Sequence, residues 1–138
     1  MHWSGTIDLV GPLVARHEVS VTLSAVIRPG WHVYAISQPP GGPNRLDISM
    51  PDGQALRQQG EITGHAALTS FDSSFDIMTQ FYEGAATFRA PVTVEKIPAP
   101  EAAAVLDVRF QTRSEHLCLP PATIHIPIRV HAPEEKRK

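Results

Sequence analysis

Short runs of alternating apolar and polar residues, separated by proline and glycine, constrain this chain more than any other feature. In residues 19–27 (VSVTLSAVI), the odd positions are apolar and three of the four even positions carry Ser or Thr. The 13 prolines and 9 glycines occupy 22 of the 138 residues. A period of two predicts half-buried strands, and such frequent Pro and Gly disfavour long helices.

The same alternation recurs and predicts further strands in residues 46–50, 88–94, 106–110 and 124–130. A strand is also expected over residues 31–36, after a Pro-Gly turn. Residues 38–44 (QPPGGPN) are expected to form a loop, because no regular element tolerates so many prolines and glycines. Residues 54–79 show little sustained period, and we expect one or two short strands and a long loop there.

These patterns predict about seven to nine short strands with turns every 8–12 residues, which is typical of an antiparallel β-sandwich. The predicted fold class is all-β, an immunoglobulin-like antiparallel β-sandwich. A chain of 138 residues is long enough for one domain with a real core and too short for two. We expect a single domain over residues 1–138, with its core at about 19–130 and a charged tail at 132–138.

Charge and hydropathy exclude some classes of partner. The chain has 12 Lys and Arg against 14 Asp and Glu, a net charge of −2, so no positive field for nucleic acid is expected. No apolar run approaches the ~18 residues of a membrane span, so no membrane insertion of this chain is expected. Residues 1–5 (MHWSG) do not resemble a signal peptide. Composition leaves open a cytosolic protein or the mature or excised part of a longer one.

Cys118 is the only cysteine, which excludes an intrachain disulfide and a zinc site of several thiolates. The seven histidines show no tight ligand spacing, and His116 with Cys118 supplies at most two ligands. No metal or other cofactor is therefore expected. Nothing marks the Cys–His pair and oxyanion hole of a cysteine protease, so an independent enzyme of that kind has no support.

Three segments, taken in order and at their spacing, resemble one family. They are residues 29–34 (PGWHVY) running into 38–43 (QPPGGP), residues 71–75 (FDSSF) followed by 81–84 (FYEG), Phe88 and 91–92, and residues 110–112 (FQT) with 118–121 (CLPP). The set is similar to the N-terminal periplasmic domain of the bacterial thiol:disulfide interchange protein DsbD, also described as a disulfide-bond-corrector (DsbC-like) module. The resemblance covers residues 19–130.

The resemblance implies an immunoglobulin-like sandwich in the bacterial periplasm, with a link to cytochrome c-type biogenesis. It implies that the domain takes reducing equivalents from a membrane-embedded reductase domain and passes them to thioredoxin-like periplasmic partners. That chemistry uses two cysteines on one hairpin: one thiolate attacks the disulfide of a partner, and the second resolves the mixed disulfide.

This chain departs from the family at one of those two positions. Cys118, followed by Leu119-Pro120-Pro121, matches the second cysteine, whereas the first falls at Arg113. We therefore expect an impaired or altered redox carrier that resembles a protein-disulfide reductase domain but lacks its second redox cysteine. By the same resemblance, Phe75 matches a phenylalanine that caps the pair, and His32 and Tyr34 match aromatic polar side chains beside it.

Each of these assignments has a plainer alternative. Cys118 can be a buried small hydrophobic residue, or a reactive thiol whose thiolate is favoured by the nearby cations Arg113 and His116. Arg113 can be a solvated hairpin residue or a contact for an anion or carboxylate.

The aromatic positions carry the same ambiguity. Phe75 and Tyr82 can belong to the binding face or simply to the core, and His32 can be a hydrogen-bonded part of the scaffold. The alternative function is a non-redox β-sandwich that binds a protein, in which Cys118 is incidental.

Overall fold

The computed structural model describes residues 1–8, 14–36, 38, 41, 43–73, 75–98, 103–114 and 117–131. The regular secondary structure of these described residues is β-strand. They include no helix long and apolar enough to cross a membrane. In chain order the strands are β1 (His2–Asp8), β2 (Glu18–Val26), β3 (Trp31–Tyr34), β4 (Asp47–Ser49), β5 (Leu56–Gln58), β6 (Thr63–Gly64), β7 (Leu68–Asp72), β8 (Ile77–Tyr82), β9 (Ala85–Val94), β10 (Ala104–Phe110), β11 (Thr112–Ser114) and β12 (Ala122–His131).

The strands form two sheets. The larger has the order β4-β10-β12-β1-β2-β9-β5, with β6 also paired to β9. The smaller has the order β11-β3-β8-β7. Neighbours are antiparallel except β1 and β12, which run parallel with Gly5 opposite Ile128. The all-β, immunoglobulin-like sandwich predicted from the alternation is confirmed.

The core lies where apolar side chains of the two sheets meet. From the larger sheet it takes side chains at alternate positions of its long strands, because successive residues of a strand face opposite sides. These buried residues are Ile7, Val21, Leu23, Phe88, Val92, Leu106, Val108 and Ile128. The smaller sheet contributes Val33 and Tyr82. Each alternation that predicted a strand therefore marks a face of this core.

A single residue carries the chain from the larger sheet to the smaller one. β10 ends at Phe110 in the larger sheet, and β11 begins at Thr112 in the smaller sheet. Gln111 lies between them, and its carbonyl accepts a hydrogen bond from the Tyr34 N–H of β3 at 3.1 Å. This short crossing brings β11 to the edge of the smaller sheet, beside β3.

The structure differs from the prediction in two regions. Residues 54–79, where one or two short strands and a long loop were expected, contain β5, β6, β7 and the start of β8, each too short or too polar to show a period of two. The structure also adds β1 between β12 and β2, outside the predicted core of about 19–130. The predicted charged tail lies outside the described residues.

Candidate functional site

Cys118 lies on the return arm of a hairpin that begins with β11. The Ser114 N–H donates to the Leu117 carbonyl at 2.7 Å, and the Leu119 N–H donates to the Thr112 carbonyl at 3.0 Å. These two hydrogen bonds flank the bridge between Arg113 and Cys118, which is therefore a non-hydrogen-bonded antiparallel pair. In such a pair the two side chains leave the same face of the ladder at the closest spacing.

The Cys118 side chain is exposed and free. The alternative of a buried, inert thiol therefore does not hold. Its sulfur accepts a hydrogen bond from the Gln111 side-chain amide at 3.4 Å. The thiol is thus exposed to solvent and also accepts a hydrogen bond from Gln111.

Arg113 turns its guanidinium to a buried carboxylate. Its Nη1 donates to Asp72 Oδ1 at 2.5 Å, and its Nε donates to the Ser114 carbonyl at 3.2 Å. The side chains of Arg113 and Asp72 are only 16% and 4% exposed. Arg113 is therefore not a solvated hairpin residue: it makes a carboxylate contact within its own chain.

Tyr34 completes this group of three side chains. Its hydroxyl donates to the second oxygen of Asp72 at 2.5 Å, and it also hydrogen-bonds with Arg113. We call Tyr34, Asp72 and Arg113 the polar cluster. It ties β3, β7 and β11 together, three strands that lie far apart in the sequence.

Burial and hydrogen bonding shift the acid–base properties of the polar cluster. Loss of solvent raises the pKa of Tyr34 well above its ordinary value, its hydrogen bond to Asp72 raises it further, and Arg113 opposes the rise. The hydrogen bond with Tyr34, together with the pairing to Asp72, raises the pKa of Arg113, against the lowering effect of burial. Tyr34 therefore stays a neutral donor and Arg113 stays a cation.

An open cleft of about 270 Å³ lies against the polar cluster. Phe71, Phe81 and His32 contribute to its walls beside Asp72 and Arg113. No group of three or more His, Cys, Asp or Glu side chains able to hold a metal ion is found among the described residues. The cleft therefore has the character of a polar and aromatic recess beside the hairpin.

A family model for the N-terminal domain of the thiol:disulfide interchange protein DsbD matches residues 10–129 of the chain. The chain belongs to this family. Among curated proteins, none matches the chain significantly.

Two solved structures share the fold of this DsbD-family domain. The N-terminal domain of DsbD from Neisseria meningitidis, in its reduced form, has a TM-score of 0.55 and 19% identity, covering 84% of this chain and 79% of that chain. The N-terminal periplasmic domain of ScsB from Proteus mirabilis has a TM-score of 0.53 and 18% identity, covering 89% of this chain and 44% of that chain. At these identities the likeness concerns the fold alone.

Two of the aromatic residues singled out in the sequence lie next to the polar cluster of this DsbD-family domain. The Phe75 ring meets the Tyr34 ring edge-on, with centroids 6.2 Å apart. His32 lies opposite Arg113 in the β3–β11 register, and its ring is 4.4 Å from that of Phe81.

Phe75 is held in the turn between β7 and β8 by backbone hydrogen bonds. The N–H groups of Phe75 and Asp76 both donate to the Asp72 carbonyl, at 3.2 and 2.7 Å. Asp76 adopts a left-handed conformation with φ of 60°, which Asp tolerates better than most residues. The turn that carries Phe75 therefore begins at the same residue that binds Arg113.

The structure does not bring Tyr82 to this group. Tyr82 is 5% exposed and packs edge-on against Phe88 in the core at 5.3 Å. Its hydroxyl donates to the His65 carbonyl at 2.9 Å. His116 lies outside the described residues.

Two residues of the site were not identified from the sequence, Asp72 and Gln111. Asp72 ends an otherwise exposed strand, and its ion-pair partner is 41 positions away in the sequence. Gln111 and Thr112 are two consecutive buried polar residues, which breaks the alternation of β10. This change in burial coincides with the point where the chain passes from the larger sheet to the smaller one.

Both tyrosines of the chain, Tyr34 and Tyr82, are expected to resist ionisation in the folded state, since burial raises the pKa of each. An unfolded tyrosine ionises near pH 10. The stabilisation from keeping both phenols neutral is thus complete below about pH 10 and is lost as the pH rises above it. Phenolate absorbance should show little ionisation at pH 10 in the native protein and about half in a urea-unfolded control. Coincident titration curves would contradict this.

Arg113→Met should destabilise the domain by about 3 kcal/mol, because it leaves the Asp72 carboxylate buried without its cation. Urea unfolding followed by tryptophan fluorescence measures the change. The matched control is Arg57→Met: Arg57 pairs with Glu95 at 3.0 Å, but both side chains are about half exposed. That substitution should cost less than about 1 kcal/mol. Equal effects of the two substitutions would be inconsistent with a buried ion pair at Arg113.

Proposed function

We propose that this chain is a periplasmic thiol:disulfide interchange domain that docks a thioredoxin-like partner at the face around Cys118 and reacts through that single thiol. The observation that carries the proposal is an exposed Cys118 on a hydrogen-bonded hairpin, directly opposite Arg113, in a member of the DsbD N-terminal family. The family resemblance and the description of the ScsB domain as periplasmic support the periplasmic location.

The exchange step needs no cofactor. The Cys118 thiolate attacks one sulfur of a disulfide in the partner, a new sulfur–sulfur bond forms between the two proteins, and the other sulfur of the partner leaves as a thiolate. Only thiols and disulfides take part, so the electrons balance within the pair of proteins. The mixed disulfide then needs a second thiolate to resolve it, from the partner or from a small thiol.

Arg113 occupies the place where the first cysteine of the family pair is expected. A non-hydrogen-bonded antiparallel pair has its Cα atoms about 4.5 Å apart, within the range of about 4.4–6.8 Å that a disulfide spans. With arginine there, Cys118 has no internal partner, because the chain holds one cysteine. The domain therefore forms mixed disulfides through the single thiol of Cys118 and does not cycle between an internal dithiol and an internal disulfide.

The surface around the thiol supports docking of a protein. Leu117 and Leu119 flank Cys118 and are 52% and 38% exposed. Phe75, partly exposed, lies beside the polar cluster. Exposed apolar side chains around a reactive group are suited to burial against a partner that brings its own disulfide.

Trapping of a mixed disulfide tests the proposal. The partner is a thioredoxin-like domain that retains only its attacking cysteine, activated as a disulfide with thionitrobenzoate. The native domain should release thionitrobenzoate and form a covalent one-to-one complex, and a reductant should cleave the disulfide that joins the two proteins. Cys118→Ser should form no complex. If the native domain and Cys118→Ser bind the partner equally well, and the native domain forms no covalent complex, the domain is the non-redox binding module.

Arg113→Cys should create the missing redox pair. In glutathione buffers, the variant is expected to form an internal disulfide, seen as a loss of two hydrogens by mass spectrometry. The native domain should gain at most one glutathione and show no internal dithiol–disulfide transition. Ser114→Cys is the matched control, because Ser114 is one residue further along and faces the other side of the hairpin. An internal disulfide in the control but not in Arg113→Cys would overturn the assignment of position 113.

A further inference from the structure

The side-chain amide of Gln111 lies between the Cys118 thiol and Asn44, a residue 67 positions away in the sequence. The Gln111 side chain is buried, with the residue 8% exposed. Its backbone is held at the crossing between the two sheets by the Tyr34 N–H. A polar side chain at such a depth requires partners for all its hydrogen-bonding groups.

The hydrogen bonds of Gln111 fix which end of the amide faces the sulfur. Its Oε1 accepts from the Asn44 backbone N–H at 3.1 Å and lies 3.4 Å from the Asn44 side-chain amide. A backbone N–H can only donate, so the oxygen of Gln111 must face Asn44. Its Nε2 therefore points the other way, toward the Leu119 carbonyl at 3.2 Å and the Cys118 sulfur at 3.4 Å.

The two hydrogens of Nε2 thus have one acceptor each, the carbonyl and the sulfur. A thiolate accepts hydrogen bonds and cannot donate them, so a fixed donor favours the ionised form that attacks disulfides. Arg113, the nearest cation along the hairpin, is instead directed at the Asp72 carboxylate, 2.5 Å away. Among the described residues, the neutral Gln111 amide donates a hydrogen bond to the sulfur.

We propose that Gln111 is the positioning residue of the exchange reaction: its Nε2–H orients the Cys118 sulfur and stabilises its thiolate. This inference rests on the proposed function for the identity of the reacting atom. The contact with Asn44 gives the amide its direction, and the contact with Leu119 holds the hairpin against it.

Gln111→Glu is the sharpest variant. Glutamate has the same shape and can still accept from Asn44, but its second oxygen cannot donate to the sulfur and repels a thiolate. Carbamidomethylation of the native protein by iodoacetamide at pH 7 should slow by about threefold to tenfold. A hydrogen bond to a charged group changes the thiolate population by on the order of 10- to 100-fold, and about half of that, on a logarithmic scale, is offset by higher nucleophilicity.

Gln111→Met tests the same donor without adding charge, and it should slow the reaction in the same direction. The matched controls are Gln54→Glu and Gln54→Met. Gln54 also bridges backbone groups with both ends of its amide, donating to Val105 and Pro51 and accepting from Val105, but it does not contact the thiol. Its variants should alkylate at the native rate, whatever stability they lose in urea.

A measurement on the native protein keeps the inference testable if the Gln111 variants do not fold. In a heteronuclear NMR spectrum, one Nε2 proton of Gln111 should shift when Cys118 is carbamidomethylated, while those of Gln54 stay in place. An unchanged Gln111 signal, or Gln111 variants that alkylate at the native rate or faster, would overturn the inference. Because alkylation needs no protein partner, these results are independent of whether the mixed disulfide is trapped.

Discussion

The buried carboxylate of Asp72 is the constraint on which the candidate site depends. An ionised carboxylate taken out of water is tolerated only with a cation and further hydrogen bonds. Arg113 supplies the cation and Tyr34 a neutral donor, and the three side chains come from three strands of the smaller sheet. Satisfying one carboxylate therefore fixes the hairpin, the central strand β3 and the turn that carries Phe75 relative to one another.

The Arg113–Asp72 ion pair links the hairpin to β7 across the smaller sheet. In the pair of cysteines expected for the DsbD N-terminal family, the bond lies across the hairpin, between positions 113 and 118. Here the side chain at position 113 binds Asp72, on the other edge of the smaller sheet. The hairpin stays anchored, and Cys118 is left exposed with a hydrogen bond from Gln111 as its support. The fold of the family is thus preserved, and the chain carries a single cysteine where the resemblance implies a pair.

The sequence was sufficient for the parts of the fold that follow a local rule. The strands with long alternations, such as β2 and β9, are confirmed because one face of each is buried along its whole length. β1 was missed because Gly5 interrupts its apolar face, at a point where the Ile128 side chain approaches closely. β7 was missed because its burial pattern is inverted: Phe71 is exposed and Asp72 is buried. Asp72 can be buried because Arg113 and Tyr34 bind its carboxylate.

Some residues of the site could be identified from the sequence, and others only from contacts between residues far apart in the sequence. Cys118 stands out in the sequence as the only cysteine, and Arg113 was identified through the family resemblance. Asp72 and Gln111 instead bind partners 41 and 67 positions away. Such pairings leave no local pattern, so only the structure reveals them. Tyr82 illustrates the converse: its neighbour Phe81 lines the cleft, but alternation along β8 turns Tyr82 into the core.

The central claim is that the buried Arg113–Asp72 ion pair anchors the hairpin that carries Cys118. A double-mutant cycle measures it most directly, with the unfolding free energies of the native domain, Arg113→Met, Asp72→Asn and the double variant. The two substitutions are expected to be strongly non-additive, with a coupling of about 2 kcal/mol, because each one alone leaves a buried group without its partner. Additive effects, with a coupling below about 0.5 kcal/mol, would contradict it.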